Sequence, residues 1–138
     1  MVASIKFLAD FEIERLKRVW VSWENSEGIK LENGHSIWNK SVTNKGYGRV
    51  GVTFIMKSGV SVSKRMLAHV LSYFLKDSSF DFFISQNNKE VSHLCREQLC
   101  VKPEHLNLES HGENIKRKNC HKKNYCFGHG ENPKCIFS

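Results

Sequence analysis

All five cysteines of this 138-residue chain fall in its last 44 residues, at Cys95, Cys100, Cys120, Cys126 and Cys135, interleaved with His93, His105, His111, His121 and His129. An odd number of thiols clustered with imidazoles suits metal coordination in a reducing compartment better than a disulfide framework. Structural zinc takes four thiolates or imidazoles, usually in pairs held by short loops. Cys120-x5-Cys126-x2-His129-x5-Cys135 offers a complete set within sixteen residues, with His121 as an alternative to His129. Cys95-x4-Cys100-x4-His105 offers three ligands, so a fourth must come from elsewhere. His93 is the nearest, but its separation of two residues from Cys95 is a tight bite for one tetrahedral ion. Spacing alone leaves the choice open.

The rest of the composition narrows the partners. Twenty-one Lys and Arg against fourteen Asp and Glu give a net charge of +7 and a pI near 9.3, which favours a polyanion. No stretch approaches the roughly 20 apolar residues of a membrane span, and the first residues lack a signal-peptide core. A soluble, intracellular protein without a membrane partner is expected, nuclear in a eukaryote and cytoplasmic in a bacterium or phage. Hydrophobic content of 40% suits one modest domain.

Periodicity supplies the elements. Asp10 is placed to cap a helix through "FEIERLKRVWVSW", whose Ile13, Leu16, Trp20 and Trp23 form one apolar stripe. "ENSEGIKLENGHS" reads as a polar loop. "GRVGVTFIM" alternates as a half-buried strand, and "KSG" turns it into "VSVSK", an antiparallel hairpin. Its outer face carries Arg49, Thr53, Ser61 and Ser63, with Lys57 and Lys64 near its ends. Such a basic, hydroxyl-bearing ribbon suits a DNA major groove. "KRMLAHVLSYFLK" returns to helical spacing, with Met66, Leu67, Val70, Leu71 and Phe74 as the stripe and His69 inside it as a core histidine. "FDFFIS" reads as a short strand and "QNNKE" as a turn. "HLNLES" then predicts a strand, and Ser110 followed by Glu113 a capping box that opens a helix bearing Asn114 in its first turn.

At this point "SHLCREQLCVKPEHLNLES" followed by "ENIKR" resembles the His-Cys box homing endonucleases and the related HNH endonucleases, members of the His-Me finger group. "GHSIWNKSVTNKGYGRV" is similar to that family's G-C-W-x-W and G-Y-G-R stretches, and "AHVLSYFLK" to its A-H-R-L-S-Y helix. The match covers roughly residues 34 to 120. It implies an α+β fold: a ββα-metal nuclease core with an antiparallel β-sheet, two zinc-bound loops and little continuous hydrophobic core. One endonuclease domain over 1–138 follows, with an N-terminal helix and loop (1–33), a DNA-contacting sheet (34–66), a helix and the ββα-metal site (67–119) and a C-terminal zinc loop (120–138).

The resemblance also assigns roles. His93 is the general base and Asn114 the ligand of one catalytic Mg2+. Cys95, Cys100 and His105 bind the first of two structural zincs, and His35, standing where the family has a cysteine, completes it. Cys120, Cys126, His129 and Cys135 bind the second. Arg49, Thr53, Lys57, Ser61, Ser63, Lys64 and Arg65 are the DNA-contacting set, with Arg49, Lys57 or Arg65 in place of the family's arginine at the scissile phosphate. The implied activity is double-strand DNA cleavage to 5′-phosphate and 3′-hydroxyl ends, site-specific in the homing manner. Cutting a near-palindrome would call for a homodimer, and exchange of C-terminal tails is not expected. The alternatives are a zinc-stabilised DNA-binding module without catalysis and a nonspecific or RNA nuclease.

Overall fold

A computed structural model describes residues 4–79, 81–83 and 89–137. The elements run α1 (Glu12–Asn25), β1 (Ile29–Glu32), β2 (His35–Trp38), β3 (Arg49–Ile55), β4 (Ser61–Leu67), α2 (Ala68–Lys76), β5 (Lys89–His93), β6 (Leu106–Ser110) and α3 (His111–Lys123), with short 3-10 turns at Ile5–Phe7 and Pro103–His105. The six strands form three antiparallel pairs: β1 with β2, β3 with β4, and β5 with β6. The fold is α+β, as expected.

Helix α1 forms on the predicted stripe, with Leu16 buried and Ile13, Trp20 and Trp23 half-buried against the core. Asp10 does not cap it. Phe11 holds the N-cap position without a side-chain hydrogen bond. The first turn is anchored instead by Glu12, whose buried carboxylate takes Arg15 Nε (2.5 Å) and the Ile55 amide of β3 (2.6 Å).

The segment read as a polar loop contains β1 and β2. Asn33 (φ 50°) and Gly34 (φ +81°) make the tight turn between them, the left-handed pair that a two-residue hairpin requires. The central hairpin is also longer than expected. Met66 and Leu67 continue β4, opposite Val50 and Arg49, so α2 begins only at Ala68. Pairing with β3 overrides the helical spacing there. Asp81–Phe83 form a turn, with the Phe83 amide on Asp81 Oδ1 (3.0 Å), not the strand read from "FDFFIS"; the rest of that stretch and residues 86–88 of "QNNKE" lie outside the described residues.

The core gathers Leu8, Leu16, Ile29, Trp38, Phe54, Leu71, Phe74, Val101 and their neighbours, and stops at Leu106. Gly48 is part of its packing, because a Cβ there would lie 2.7 Å from the Trp38 ring. Beyond Leu106 the buried side chains among the described residues are Glu109, Arg117, Cys120 and His129. These are an ion pair and two metal-ligand types, not an apolar cluster. No helix of the described residues is long and apolar enough to cross a membrane.

Candidate metal centres and active-site cleft

Strand β2 is stitched to the segment after β5: the Val101 amide donates to Ser36 O (2.7 Å) and the Trp38 amide to Leu99 O (2.8 Å). This pairing carries His35, at the head of β2, to Cys95, Cys100 and His105, and the four ligand atoms lie within 4.8 Å of one another. Cys100 Sγ is 3.5 Å from His105 Nδ1, and the His35 and His105 rings meet edge to face at 5.2 Å. Tetrahedral zinc with bonds of about 2.0–2.3 Å places its ligand atoms about 3.3–3.8 Å apart, a range that the Cys100–His105 distance already meets. The thiols agree with this. The hydrogen bond from Cys95 pulls the Cys100 thiol down to about 4, while that contact and burial push Cys95 up. Without a cation the pair shares one proton, and a bound zinc would let both thiols ionise.

The second set closes around the end of α3. Cys120, Cys126, His129 and Cys135 also bring their ligand atoms within 4.8 Å of one another, with His129 Nε2 at 3.6 Å from Cys120 Sγ and 3.1 Å from Cys135 Sγ. His129 Nδ1 donates to Glu113 Oε2 (3.1 Å), which fixes the tautomer that presents Nε2 to a metal. The amides of Phe127 and Cys135 donate to the sulfurs of Cys120 and Cys126 (both 3.4 Å), as zinc-bound thiolates require. His121 belongs to neither set; its Nε2 donates to Leu94 O (3.1 Å).

Between the loop before β3, the start of α2 and the ββα unit lies a cleft of about 1040 Å³ whose lining includes Tyr47, His69, Glu90, His93, Arg96 and Asn114. His93 ends β5 with its ring outside both metal sets. Its Nε2 donates to Cys100 O (3.0 Å), since a carbonyl only accepts, which leaves the Nδ1 lone pair in the neutral imidazole. His69 packs 4.3 Å away and Tyr47 stacks at 6.0 Å. Burial, reinforced by His69, holds the His93 pKa well below the ordinary histidine value. Burial likewise pushes His69 down to about 4, with its Nε2 on Val91 O (3.2 Å). Both rings are therefore neutral at physiological pH.

Asn114 lies in the first turn of α3, which is capped as predicted, Ser110 Oγ accepting the Glu113 amide at 3.1 Å. Only half of the capping box forms, because the Glu113 carboxylate is turned to His129 and Lys116. Asn114 Nδ2 donates to Glu90 Oε1, a cleft carboxylate that motif reading does not single out. One turn on, Arg117 is fully buried, paired with Glu109 of β6 and donating to Pro133 O (2.6 Å) in the C-terminal loop. That pair pins α3 to the strands and to the second metal loop together.

The hairpin divides the basic residues. Arg49, Thr53, Ser61, Ser63 and Arg65 share one face, with Thr53 and Ser63 hydrogen-bonded across the strands (3.1 Å). Lys64 is opposite Val52 on the other face, its ammonium over the Phe83 ring at 5.7 Å. Lys57 sits in the turn. Arg49 pairs with Leu67, a cleft-lining residue, so the arginines lie at the cleft end of the ribbon and Lys57 at the far end.

A strand-strand-helix unit flanked by two four-ligand His/Cys sets, with a neutral histidine and an asparagine in one cleft, defines a zinc-binding ββα protein. The family model described as the zinc-binding loop region of homing endonuclease matches residues 35–136, most of the chain, and the chain belongs to that family. No curated protein and no solved structure matches it. Membership places the chain with nuclease and DNA-binding proteins.

Proposed function

We propose that the protein is a Mg2+-dependent endonuclease that hydrolyses double-stranded DNA, leaving 5′-phosphate and 3′-hydroxyl ends, with two structural zincs in each chain. The observation that carries this reading is His93: its Nε2 is engaged by the carbonyl of a metal-binding cysteine instead of by the metal, and its Nδ1 is left to take a proton. A neutral imidazole can deprotonate a water aligned with the scissile phosphate, a role worth about 10²–10⁴ in rate. Asn114 supplies an amide oxygen, the hard donor that Mg2+ accepts while keeping most of its waters. When bound, that cation supplies positive charge where the leaving 3′ oxygen develops negative charge.

The hairpin face of Arg49, Thr53, Ser61, Ser63 and Arg65 serves as the DNA contact. A two-stranded ribbon fits a major groove about 12 Å wide, and Arg49, nearest the cleft, is the residue that meets the scissile phosphate. Cleavage specific to one site, by two copies acting on the two strands, follows the homing pattern.

Supercoiled plasmid incubated with Mg2+, without it, and with EDTA tests the reading on wild type and His93→Ala. Mg2+-dependent linearisation by wild type, lost in a folded, zinc-replete His93→Ala protein, is the expected result. Failure of wild type to cut any DNA or RNA in Mg2+ would sink the enzyme and leave a zinc-stabilised binding module. Cleavage of RNA alone would correct the substrate.

A further inference from the structure

An asparagine amide has an oxygen end and a nitrogen end of nearly equal size, so a lone asparagine facing solvent presents either. Only the oxygen binds a cation. Asn114 is not lone: its Nδ2 donates across the interface of α3 and β5 to Glu90 Oε1. A carboxylate only accepts, so it can hold the nitrogen end and rejects the oxygen end. Asn114 Oδ1 is thereby turned away from Glu90, and it accepts no hydrogen bond among the described residues. Glu90 is itself oriented, both of its oxygens lying 3.1–3.2 Å from His111 Nδ1 at the start of α3. Glu90, Asn114 and His93 all line the same cleft.

We infer that Glu90 is a positioning residue: it selects the amide orientation that points Asn114 Oδ1 into the cleft and so sets the affinity for the catalytic cation. The inference rests on Asn114 being the metal anchor, as proposed above. The contribution is that of an outer partner to a metal ligand, whose loss typically weakens metal binding about 10–100-fold. The acceptor-only chemistry of the carboxylate does the selecting, and a glutamine, whose own amide can accept through Oε1 or donate through Nε2, should preserve it only in part.

The test uses the full chain carrying His93→Ala, so that a short DNA duplex survives, with Glu90→Ala or Glu90→Gln added and zinc content checked in each. Nitrogen-15 NMR follows the Asn114 side-chain NH2 pair, first without metal and then during titration with Mn2+ in the presence of the duplex. Without metal, Glu90→Ala should move the pair to the shifts of a solvent-exposed amide, with Glu90→Gln between it and the parent. With Mn2+, the pair should broaden in the parent protein, need about 10–100-fold more Mn2+ in Glu90→Ala, and fall between the two in Glu90→Gln. Equal Mn2+ affinity in Glu90→Ala and parent would overturn the positioning role. Glu90→Gln matching the parent in full would overturn it too, because an amide that can present either end would then select as well as a carboxylate. No Mn2+ broadening at Asn114 in the parent would remove the metal-anchor reading, and the inference with it.

Discussion

Two histidines lie around Cys100, and at the residue scale their difference is one of position, not type. His35 reaches the metal set from a strand more than fifty residues upstream, whereas His93, two residues from Cys95, turns its ring to a backbone carbonyl. Replacing His35 therefore tests the first centre directly. His35→Ala should lower zinc from two ions per chain to about one, or unfold the domain, whereas His35→Cys should retain both, because thiolate and imidazole both serve the ion. Two zincs kept by a folded His35→Ala protein, measured by elemental analysis, would place the fourth ligand elsewhere. His93→Ala should leave both zincs in place and remove only cleavage.

Elements here are joined by buried carboxylates as much as by apolar faces. Glu109 and Arg117, both fully buried, lock α3 onto β6 and, through Pro133, onto the C-terminal loop. Burial pushes the Glu109 carboxyl up, but Arg117 and Asn107 outweigh it and hold it below the usual range. Arg117→Ala strands that charge, and a loss of about 3–5 kcal/mol is expected in urea unfolding. Arg117→Lys should rescue little, since it lacks the two-pronged geometry. Glu12 does the same for α1 and β3: burial raises its pKa, yet Arg15 and the Ile55 amide bring it below the ordinary carboxylate value. A depressed carboxyl stabilises the fold above its unfolded pKa of about 4.3 and loses that contribution as pH falls through the folded value. Glu12→Gln should therefore be about 1–3 kcal/mol less stable than wild type at pH 7, with the gap closing as pH falls below about 4. Acid release of zinc affects both proteins alike. A gap that stays constant down to pH 3 would show that the carboxylate's charge is not what matters.

Over the whole molecule, the apolar core serves the first hundred residues and the metal loops serve the rest. A structural zinc contributes about 10–16 kcal/mol of apparent binding energy, comparable with the roughly 5–15 kcal/mol net stability of a domain. Stripping both ions with a strong chelator should abolish the cooperative thermal transition, and zinc, not magnesium, should restore it. An unchanged melt in the metal-free protein would show that the core suffices. Magnesium withdrawal alone should stop cleavage without moving the transition, which separates the two kinds of metal. At +7 the chain should also bind duplex DNA with a steep loss of affinity as salt rises.

Sequence alone was enough for the parts that depend on local spacing. Cys120, Cys126, His129 and Cys135 are spaced as a ligand set within sixteen residues, with His121 left as an alternative to His129, Ser110 and Glu113 mark the start of α3, and alternation from Arg49 to Ile55 marks β3; each depends on neighbours in the chain. His35 was legible only through the family pattern, because its partners are sixty residues and more away and nothing around it looks like a ligand site. Other features were decided only when elements met. Met66 and Leu67 have helical spacing, yet the ladder with Val50 and Arg49 makes them strand. Lys64 reads from the sequence as lying near the end of the hairpin, and only that register places it on the face opposite Arg49 and Thr53. Glu90 is an odd number of residues from His93, which strand alternation places on the opposite side of β5, so no motif ties it to the site. It joins Asn114 only because α3 packs across that strand. Periodicity and ligand spacing are properties of a few consecutive residues, whereas register, strand faces and contacts between elements exist only once distant segments have paired.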